Sequence, residues 1–199
     1  YEPTLANALS MTAKDKRLSV FQQLSDRHNM IIGVGIPLAE KSRIYISIVF
    51  FRPHEEALVY SKQILHEDEH PVFHSGEIQV LIQVGNATLA PAICYESLQE
   101  IHTERAVNQG ANVYLASVAK QKEGYSKAAR YYAEISKNLN LTIILSNSYG
   151  RCDNFTATGC STAWNNKGEK VVNLGENEDG LVGIDTLSQE GFIYKLPEI

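Results

Sequence analysis

The sequence predicts an α/β fold whose sheets are buried on both faces. Candidate strands and helices alternate along most of the 199 residues, and several of the strands are continuous apolar runs. A sheet that is covered on both faces needs such runs, whereas a half-exposed sheet shows apolar and polar residues in turn. With 44% hydrophobic and 21% charged residues, the composition is that of an ordinary globular chain.

One helix and a series of strands are predicted in the first half of the chain. Leu18, Phe21 and Leu24 recur at helical spacing within residues 12–29, which indicates a helix with one apolar face. The apolar runs that follow predict strands at residues 30–36, 43–51, 57–60, 80–84 and 89–94. A Gly-Asn pair between the last two strands is typical of a tight hairpin turn.

The second half is predicted to alternate strands and helices. Residues 96–109 are predicted as a helix that ends at Gly110, because glycine is common just after a helix. Residues 125–138 predict another helix, and we expect the loop 118–125 before it to line a pocket. The remaining apolar segments are predicted as strands at residues 112–117, 141–146, 160–164, 170–173 and 181–185.

Charge and cysteine content narrow the possible partners and the compartment. The lysines and arginines are scattered along a chain of formal net charge −5, so we expect no nucleic-acid partner. No apolar run is long enough to span a bilayer, so we expect no membrane partner. Three cysteines are too few, and odd in number, for a disulfide framework. This count is typical of a reducing compartment, and we expect a cytoplasmic location.

Cys94 lies where a thiol is well placed for chemistry. It ends the apolar run 89–93 and precedes a predicted helix, whose first N–H groups and dipole favour a thiolate. Most free cysteines are instead buried and act as small hydrophobes. We expect that packing role for Cys160, which stands beside Gly159, whereas Cys152 is predicted to lie in a polar loop.

The segment His66-Glu67-Asp68-Glu69-His70 matches the H-E-x-x-H motif of zinc peptidases. Zinc chemistry needs both histidines on one face of a stable helix, with Glu67 as the general base. Pro71 follows at once and disfavours helical backbone at His70. We therefore predict an acidic loop without a metal, and a zinc hydrolase that uses residues 66–70 is the less favoured alternative.

Two arrangements are available for a cysteine nucleophile. A Cys–His pair with His102 is disfavoured, because helical geometry points that ring away from the thiol of Cys94. Lys62 follows a predicted strand, and Glu69 stands in the loop after it. Lys62, Glu69 and Cys94 together supply a cation, a carboxylate and a thiol, and this combination fits covalent catalysis better.

The same residues belong to a series of motifs that resembles a known family, the carbon-nitrogen hydrolase (nitrilase) superfamily. The resemblance extends from Tyr1 to about Asp185, and the order and spacing of several motifs agree, which makes it specific. The motifs are Y-x-K-x-x-L at 60–65, D-E-x-x-x-F-x-x-G at 68–76, I-C-Y-E at 93–96, G-A-N at 110–112, S-N-S-Y-G at 146–150, G-C-S at 159–161 and N-K-G-E at 166–169.

The resemblance implies a single domain over residues 1–199 with a four-layer αββα sandwich. It implies hydrolysis of amide, nitrile or carbamoyl C–N bonds in a small-molecule substrate, without metal or cofactor. By resemblance, Cys94 is the nucleophile, and Lys62 stabilises the oxyanion together with the backbone N–H of Tyr95. Glu69 resembles the family's second glutamate, which supports the lysine. Relatives of this kind form homodimers or higher homo-oligomers, and we expect the same here.

The family's general base is a glutamate that precedes a T-G-Y-E-P segment, to which residues 1–3 correspond. Glu2 itself holds a non-catalytic position in this correspondence. We therefore expect the base, with the opening strand and helix of the fold, upstream of Tyr1, and we expect the 199 residues alone to be less active than a chain that carries them. A binding protein that has lost its base is the main alternative of a different class, and acyl transfer to an amine is a further one.

Overall fold

A computed structural model describes residues 3–152 and 154–196 of the chain. Tyr1 and Glu2, on which the correspondence with the family's opening segment depends, lie outside the described residues. The chain forms two compact units, residues 1–80 and residues 81–199. Each unit is built around its own sheet. In the part of the chain that the structure describes, no helix combines the length and apolar character needed to cross a membrane.

The first unit contains two helices and a three-stranded antiparallel sheet of order β1-β2-β3. Its elements are α1 (Pro3–Leu9), α2 (Ser19–His28), β1 (Ile32–Glu40), β2 (Arg43–Phe51) and β3 (Leu58–Ser61). Apolar side chains from the helical segment and from β1 and β2 form the core of this unit. They are Leu18, Ile36, Leu38, Val49 and Phe51.

The second unit contains a six-stranded sheet of order β11-β10-β7-β6-β5-β4 and two separate hairpins, β8-β9 and β12-β13. The first elements are β4 (Ile82–Val84), β5 (Ala87–Ile93), α3 (Glu100–Asn108), β6 (Val113–Val118), α4 (Lys122–Leu139) and β7 (Thr142–Asn147). The later strands are β8 (Tyr149–Cys152), β9 (Phe155–Thr158), β10 (Thr162–Trp164), β11 (Lys170–Asn173), β12 (Gly180–Ile184) and β13 (Gly191–Lys195). Strands β5, β6 and β7 are parallel, and α3 and α4 connect them.

The parallel strands are buried on both faces, as the continuous apolar runs predict. Val113 and Tyr114 are neighbours on β6 and point to opposite faces, yet both are buried. The core around them includes Tyr132 of α4, Leu145 of β7 and Trp164 of β10. The alternation of strands and crossover helices confirms the predicted α/β class for this unit.

The helix that was predicted over residues 12–29 is shorter in the structure. Residues 12–29 were expected to be helical, but α2 spans only Ser19–His28. A separate 3₁₀ turn at Lys16–Leu18 precedes it, because the Asp15 carboxylate accepts a hydrogen bond from the N–H of Arg17 at 2.9 Å. Aspartate favours such caps over helix interiors, so the chain turns here before the helix begins.

The helix predicted over residues 96–109 is wrong in its first turn. The structure has a 3₁₀ turn at Cys94–Leu98, and then Gln99 takes an extended conformation with φ −97° and ψ 114°. Helix α3 begins only at Glu100. Cys94 therefore begins a short 3₁₀ turn and does not lie at the start of an α-helix, so the helix-dipole argument for its thiolate loses its basis.

Strand β1 spans Ile32–Glu40 and so extends four residues beyond the predicted strand 30–36. The remaining differences concern short elements. Helix α4 begins at Lys122, so the predicted loop 118–125 is reduced to residues 119–121. The prediction also omits α1 and the strands β8, β9 and β13. These strands have four or five residues each and lie in the hairpins β8-β9 and β12-β13, outside the two main sheets.

Candidate active site

A buried ion pair between Lys62 and Glu69 is the main polar feature of the first unit. Lys62 directly follows β3, and its backbone N–H donates to the carbonyl of Ile46 on β2 at 2.8 Å. Its side chain is fully buried, and Nζ donates to both carboxylate oxygens of Glu69 at 2.7 and 2.6 Å. A buried charge requires such a partner, because an unpaired one pays a large desolvation cost.

The carboxylate of Glu69 is itself held by backbone. Glu69 ends a 3₁₀ turn over Glu67–Glu69, and its Oε2 accepts the N–H of His66 at 2.7 Å. Gly76 closes the loop, since its N–H donates to the carbonyl of Lys62 at 2.7 Å. A Cβ at this glycine would lie 2.2 Å from the carbonyl oxygen of Ser61, so no side chain fits there. The spacing from lysine to glycine thus reflects close backbone packing.

The H-E-x-x-H segment does not form the α-helix that a zinc peptidase requires. His66 is extended, with φ −75° and ψ 157°, and only one 3₁₀ turn separates it from His70. Nδ1 of His66 lies 2.6 Å from a carboxylate oxygen of Asp68, and Glu69 is already paired with Lys62. Within residues 3–152 and 154–196, no three His, Cys, Asp or Glu side chains converge in a way that would hold a metal ion.

Cys94 lies at the carboxyl end of β5 with a left-handed backbone conformation, φ 50°. This conformation is unfavourable for a residue with a Cβ and marks a place where the surrounding structure dictates the turn. The thiol is half-buried. Two buried neighbours bind the turn: Oε1 of Glu96 accepts the N–H of Ile93 at 2.8 Å, and Oγ of Ser97 donates to the carbonyl of Cys94 at 2.5 Å.

His102 is a buried core residue in the second unit. Its Nδ1 lies 2.7 Å from the hydroxyl of Tyr114, and its Nε2 lies 3.8 Å from the carboxylate of Glu96. Burial lowers the pKa of this imidazole to about 4, with a smaller contribution from the positive charge of Arg105. The ring is therefore neutral at pH 7 and engaged with Tyr114, in line with the prediction that it does not serve Cys94.

The carboxyl ends of the parallel strands hold further polar groups of the second unit. Asn147 ends β7, and its side chain accepts the N–H of Lys120 at 2.8 Å and donates to the carbonyls of Lys120 and Gly159. It thereby ties the loop after β6 to the segment after β9. Ligands of open α/β sheets bind at this edge. The sequence contains Asn147 within a recognised motif, but nothing in its spacing revealed this linking role.

Cys160 shares the left-handed backbone of Cys94, with φ 62°, but differs from it in burial. Cys160 is buried, and burial raises the pKa of its thiol. Cys152 is half-buried on β8, where the sequence predicted a polar loop. All three cysteines are free thiols. An alkylating reagent therefore meets thiols in three different environments.

A cleft of about 540 Å³ opens beside the start of α4. Gln121 and Lys122 line one side, and Phe155 of β9 lines another. The ammonium of Lys122 lies 2.6 Å from the carboxylate of Glu176, so this charge is neutralised. Residues 118–125 were expected to line a pocket, and Gln121, Lys122 and Glu123 of this segment do line the cleft.

Of the predicted site residues, Lys62 and Glu69 are in direct contact within the first unit. Cys94 and Tyr95 are adjacent within the second unit and begin the same 3₁₀ turn. Glu96, Ser97 and Asn147 were not singled out as site residues.

The family model of the carbon-nitrogen hydrolases matches residues 2–190, which is nearly the whole chain and includes parts of both units. The chain belongs to the carbon-nitrogen hydrolase family, as its motifs predict. No curated protein is similar enough in sequence to count as a match.

Solved structures of this superfamily share the fold. A carbon-nitrogen hydrolase superfamily protein from Xanthomonas campestris has a TM-score of 0.82 at 11% identity, over 99% of this chain and 73% of that one. The amidase NitN from Neterenkonia sp. AN1 has a TM-score of 0.78 at 19% identity, over 100% of this chain and 75% of that one. Nit3 from Saccharomyces cerevisiae, in branch 10 of the nitrilase superfamily, has a TM-score of 0.77 at 15% identity, over 88% of this chain and 68% of that one. The predicted fold class, a nitrilase-like α/β sandwich, is thus confirmed.

Proposed function

We propose that the protein hydrolyses a non-peptide C–N bond of a small amide, nitrile or carbamoyl compound through a thioester on Cys94. The observation that carries this proposal is the left-handed backbone of Cys94 at the carboxyl end of a buried strand. Residues in this conformation cluster at functional sites, and Cys94 is half-buried, whereas Cys160, which shares the conformation, is buried. The family to which the chain belongs is one of hydrolases.

With an amide as substrate, the sulfur of Cys94 attacks the carbonyl carbon while its proton passes to the family's glutamate base. The C–N bond then breaks, and the nitrogen leaves as ammonia with that proton. Water attacks the resulting thioester with the help of the same base, which releases the carboxylic acid and restores the thiol.

Lys62 is proposed to stabilise the negative charge that develops on the substrate oxygen, together with the backbone N–H of Tyr95. The lysine is buried, paired and held by a two-oxygen contact with Glu69, so its ammonium has a defined position. Preorganised charges of this kind need no rearrangement during the reaction. Glu69 is proposed to orient the ammonium of Lys62.

The solved relatives support a reactive cysteine at an amide-binding site. One variant of the amidase from Nesterenkonia sp. AN1 carries the acetamide moiety of fluoroacetamide covalently at its active-site cysteine. That chain shares 20% identity with this one, over 99% of this chain and 73% of that one. An amide with a short aliphatic chain is therefore a suitable first substrate to test.

The test is ammonia release from a panel of aliphatic amides, including butyramide, by the full-length gene product. We expect Cys94→Ala to lower kcat by about 10⁴-fold or more, since the nucleophile is removed. We expect Lys62→Ala to lower it by about 10²–10³-fold, the effect of losing an oxyanion donor. Cys152→Ala is the matched control and is expected to leave kcat unchanged. Substantial turnover by the Cys94→Ala protein would refute the proposal.

Thiol labelling separates an enzyme from a non-catalytic binding protein of the same fold. Iodoacetamide at neutral pH is expected to modify Cys94 well before Cys152 and Cys160, as peptide mass mapping would show. Burial disfavours the reactive thiolate of Cys160. Equal labelling of all three thiols would favour the binding protein.

We further propose a homodimer and a cytoplasmic location. Three free thiols suit a reducing compartment. The chain has a mass of 22.1 kDa, so light scattering of a dimer of 199-residue chains would give about 44 kDa, twice the chain mass. A single species at the chain mass at micromolar concentration would contradict the dimer.

A further inference from the structure

Two buried hydroxyl groups connect the nucleophile turn to the core of the second unit. Oγ of Ser97 lies 2.5 Å from the carbonyl oxygen of Cys94 and 2.6 Å from the hydroxyl of Tyr132 on α4. Ser97 and Tyr132 both have no exposed surface. These two hydrogen bonds therefore connect helix α4 to the peptide group between Cys94 and Tyr95.

The direction of the two hydrogen bonds follows from the donors available. Ser97 has a single hydroxyl proton, and the carbonyl of Cys94 can only accept, so this proton goes to the carbonyl. The hydroxyl of Tyr132 must then donate to Oγ of Ser97. Burial raises the pKa of Tyr132 well above its ordinary value, so the phenol stays protonated and remains a donor.

The carbonyl of Cys94 shares its peptide plane with the N–H of Tyr95. A trans peptide is planar, and its C=O and N–H point in opposite directions. A hydrogen bond that holds the carbonyl end therefore also sets the direction of the N–H end. That N–H is the group assigned to the substrate oxyanion under the proposed function.

We propose that Tyr132 and Ser97 are positioning residues that orient the backbone oxyanion donor through the carbonyl of Cys94. The inference rests on the proposed function and adds two residues to the site. The left-handed conformation of Cys94 is unfavourable for a residue with a Cβ, so a turn without this support would relax and rotate the peptide.

Tyr132 is a firm anchor for this purpose. Its ring packs against Trp164 with centroids 5.6 Å apart and against Tyr131 at 5.9 Å. All these residues belong to the core cluster of the second unit or pack on it. A functional group held by packed neighbours keeps its geometry better than one on a free loop.

The test compares two reactions of the same thiol in the full-length gene product. p-Nitrophenyl acetate acylates Cys94: the sulfur bonds to the carbonyl carbon, an oxyanion forms, and p-nitrophenolate leaves. Iodoacetamide alkylates Cys94: the sulfur bonds to the methylene carbon and iodide leaves, without a carbonyl oxyanion. The Cys94→Ala protein supplies the background for both rates.

We expect Tyr132→Phe and Ser97→Ala to slow acylation by about tenfold or more, less than the 10²–10³-fold of a lost donor, because the N–H is misdirected and not removed. Alkylation is expected to change by less than about twofold. Tyr131→Phe removes a hydroxyl from the adjacent residue of the same helix, outside the chain to Cys94, and is expected to leave both rates unchanged.

The outcomes separate the inference from the function beneath it. Equal slowing of acylation and alkylation would mean a general structural role and would overturn the inference, as would unchanged acylation in Tyr132→Phe. The absence of Cys94-dependent acylation in the wild-type protein would refute the proposed function and the inference with it. If one variant does not fold, as judged by thermal melting, the other decides by the same comparison of rates.

Discussion

At the scale of single residues, the space left between backbone segments explains why some positions near the site must be glycine. Gly76 is a clear example, because its missing side chain lets the loop pass directly over the carbonyl of Ser61. Its N–H also bonds to Lys62, the residue proposed to stabilise the oxyanion. A change at this glycine therefore acts on the position of the lysine backbone.

Gly76→Ala is expected to destabilise the protein by about 3 kcal/mol, because a Cβ 2.2 Å from a backbone oxygen forces the loop to move. Urea denaturation of both proteins measures the difference. Gly35→Ala is the matched control in the same unit, where a Cβ meets no atom within 4 Å, and its effect is expected to stay below about 1 kcal/mol. Similar losses in the two variants would contradict this account.

At the scale of elements, the Lys62–Glu69 pair joins the end of β3 to the 3₁₀ turn that follows. Both side chains are buried, so each charge depends on the other. Removing one partner leaves an uncompensated buried charge, whereas removing both does not. The connection between strand and turn is therefore expected to behave as a coupled unit.

Lys62→Met is expected to destabilise the protein by about 3–5 kcal/mol, since the buried Glu69 carboxylate loses the ammonium that neutralises it. In the double variant with Glu69→Gln, the loss is expected to be about 2 kcal/mol smaller than the sum of the single losses. Chemical denaturation of the four proteins measures this coupling. The exposed pair Lys122–Glu176, with the same 2.6 Å separation, is the control and is expected to show far weaker coupling. Additive losses at Lys62 and Glu69 would contradict the prediction.

At the scale of the whole molecule, the buried His102 makes stability depend on pH. Its pKa of about 4 in the folded protein lies below the value near 6.5 in an unfolded chain. Between these values the unfolded chain binds more protons, so the free energy of unfolding decreases as pH falls from 6.5 to 4. The groups that face the ring are the carboxylate of Glu96 and the hydroxyl of Tyr114, and the charge of Arg105 also acts on it.

Between pH 6.5 and pH 5 this histidine is expected to account for about 2 kcal/mol of lost stability. His102→Gln removes the titrating group. Over the same interval, the free energy of unfolding of the variant is therefore expected to decrease by about 2 kcal/mol less than that of the wild-type protein. Urea denaturation at a series of pH values gives both curves. Parallel curves for the two proteins would show that the folded-state pKa of His102 is not lowered.

Much of the fold was predictable because its information is local. The apolar runs of β2, β5 and β6 predict these strands to within two residues, and the turn glycines predict where α3 and β4 end. Prediction failed where a single contact changes the local outcome. Asp15 caps a turn ahead of α2, and Gln99 interrupts the predicted helix after Cys94. Such breaks depend on one side chain or one dihedral angle, which periodicity does not register.

The sequence by itself determined the order of the elements, the family motifs and the candidates Lys62, Glu69 and Cys94, because each follows from residue types at short spacing. Only the tertiary structure decided that Glu69 is a buried partner of Lys62 and that residues 66–70 do not form the α-helix of a zinc peptidase. It also decided that Ser97 meets Tyr132, 35 residues further along the chain. Such contacts form when packing brings distant segments together, and burial then makes each hydrogen bond obligatory.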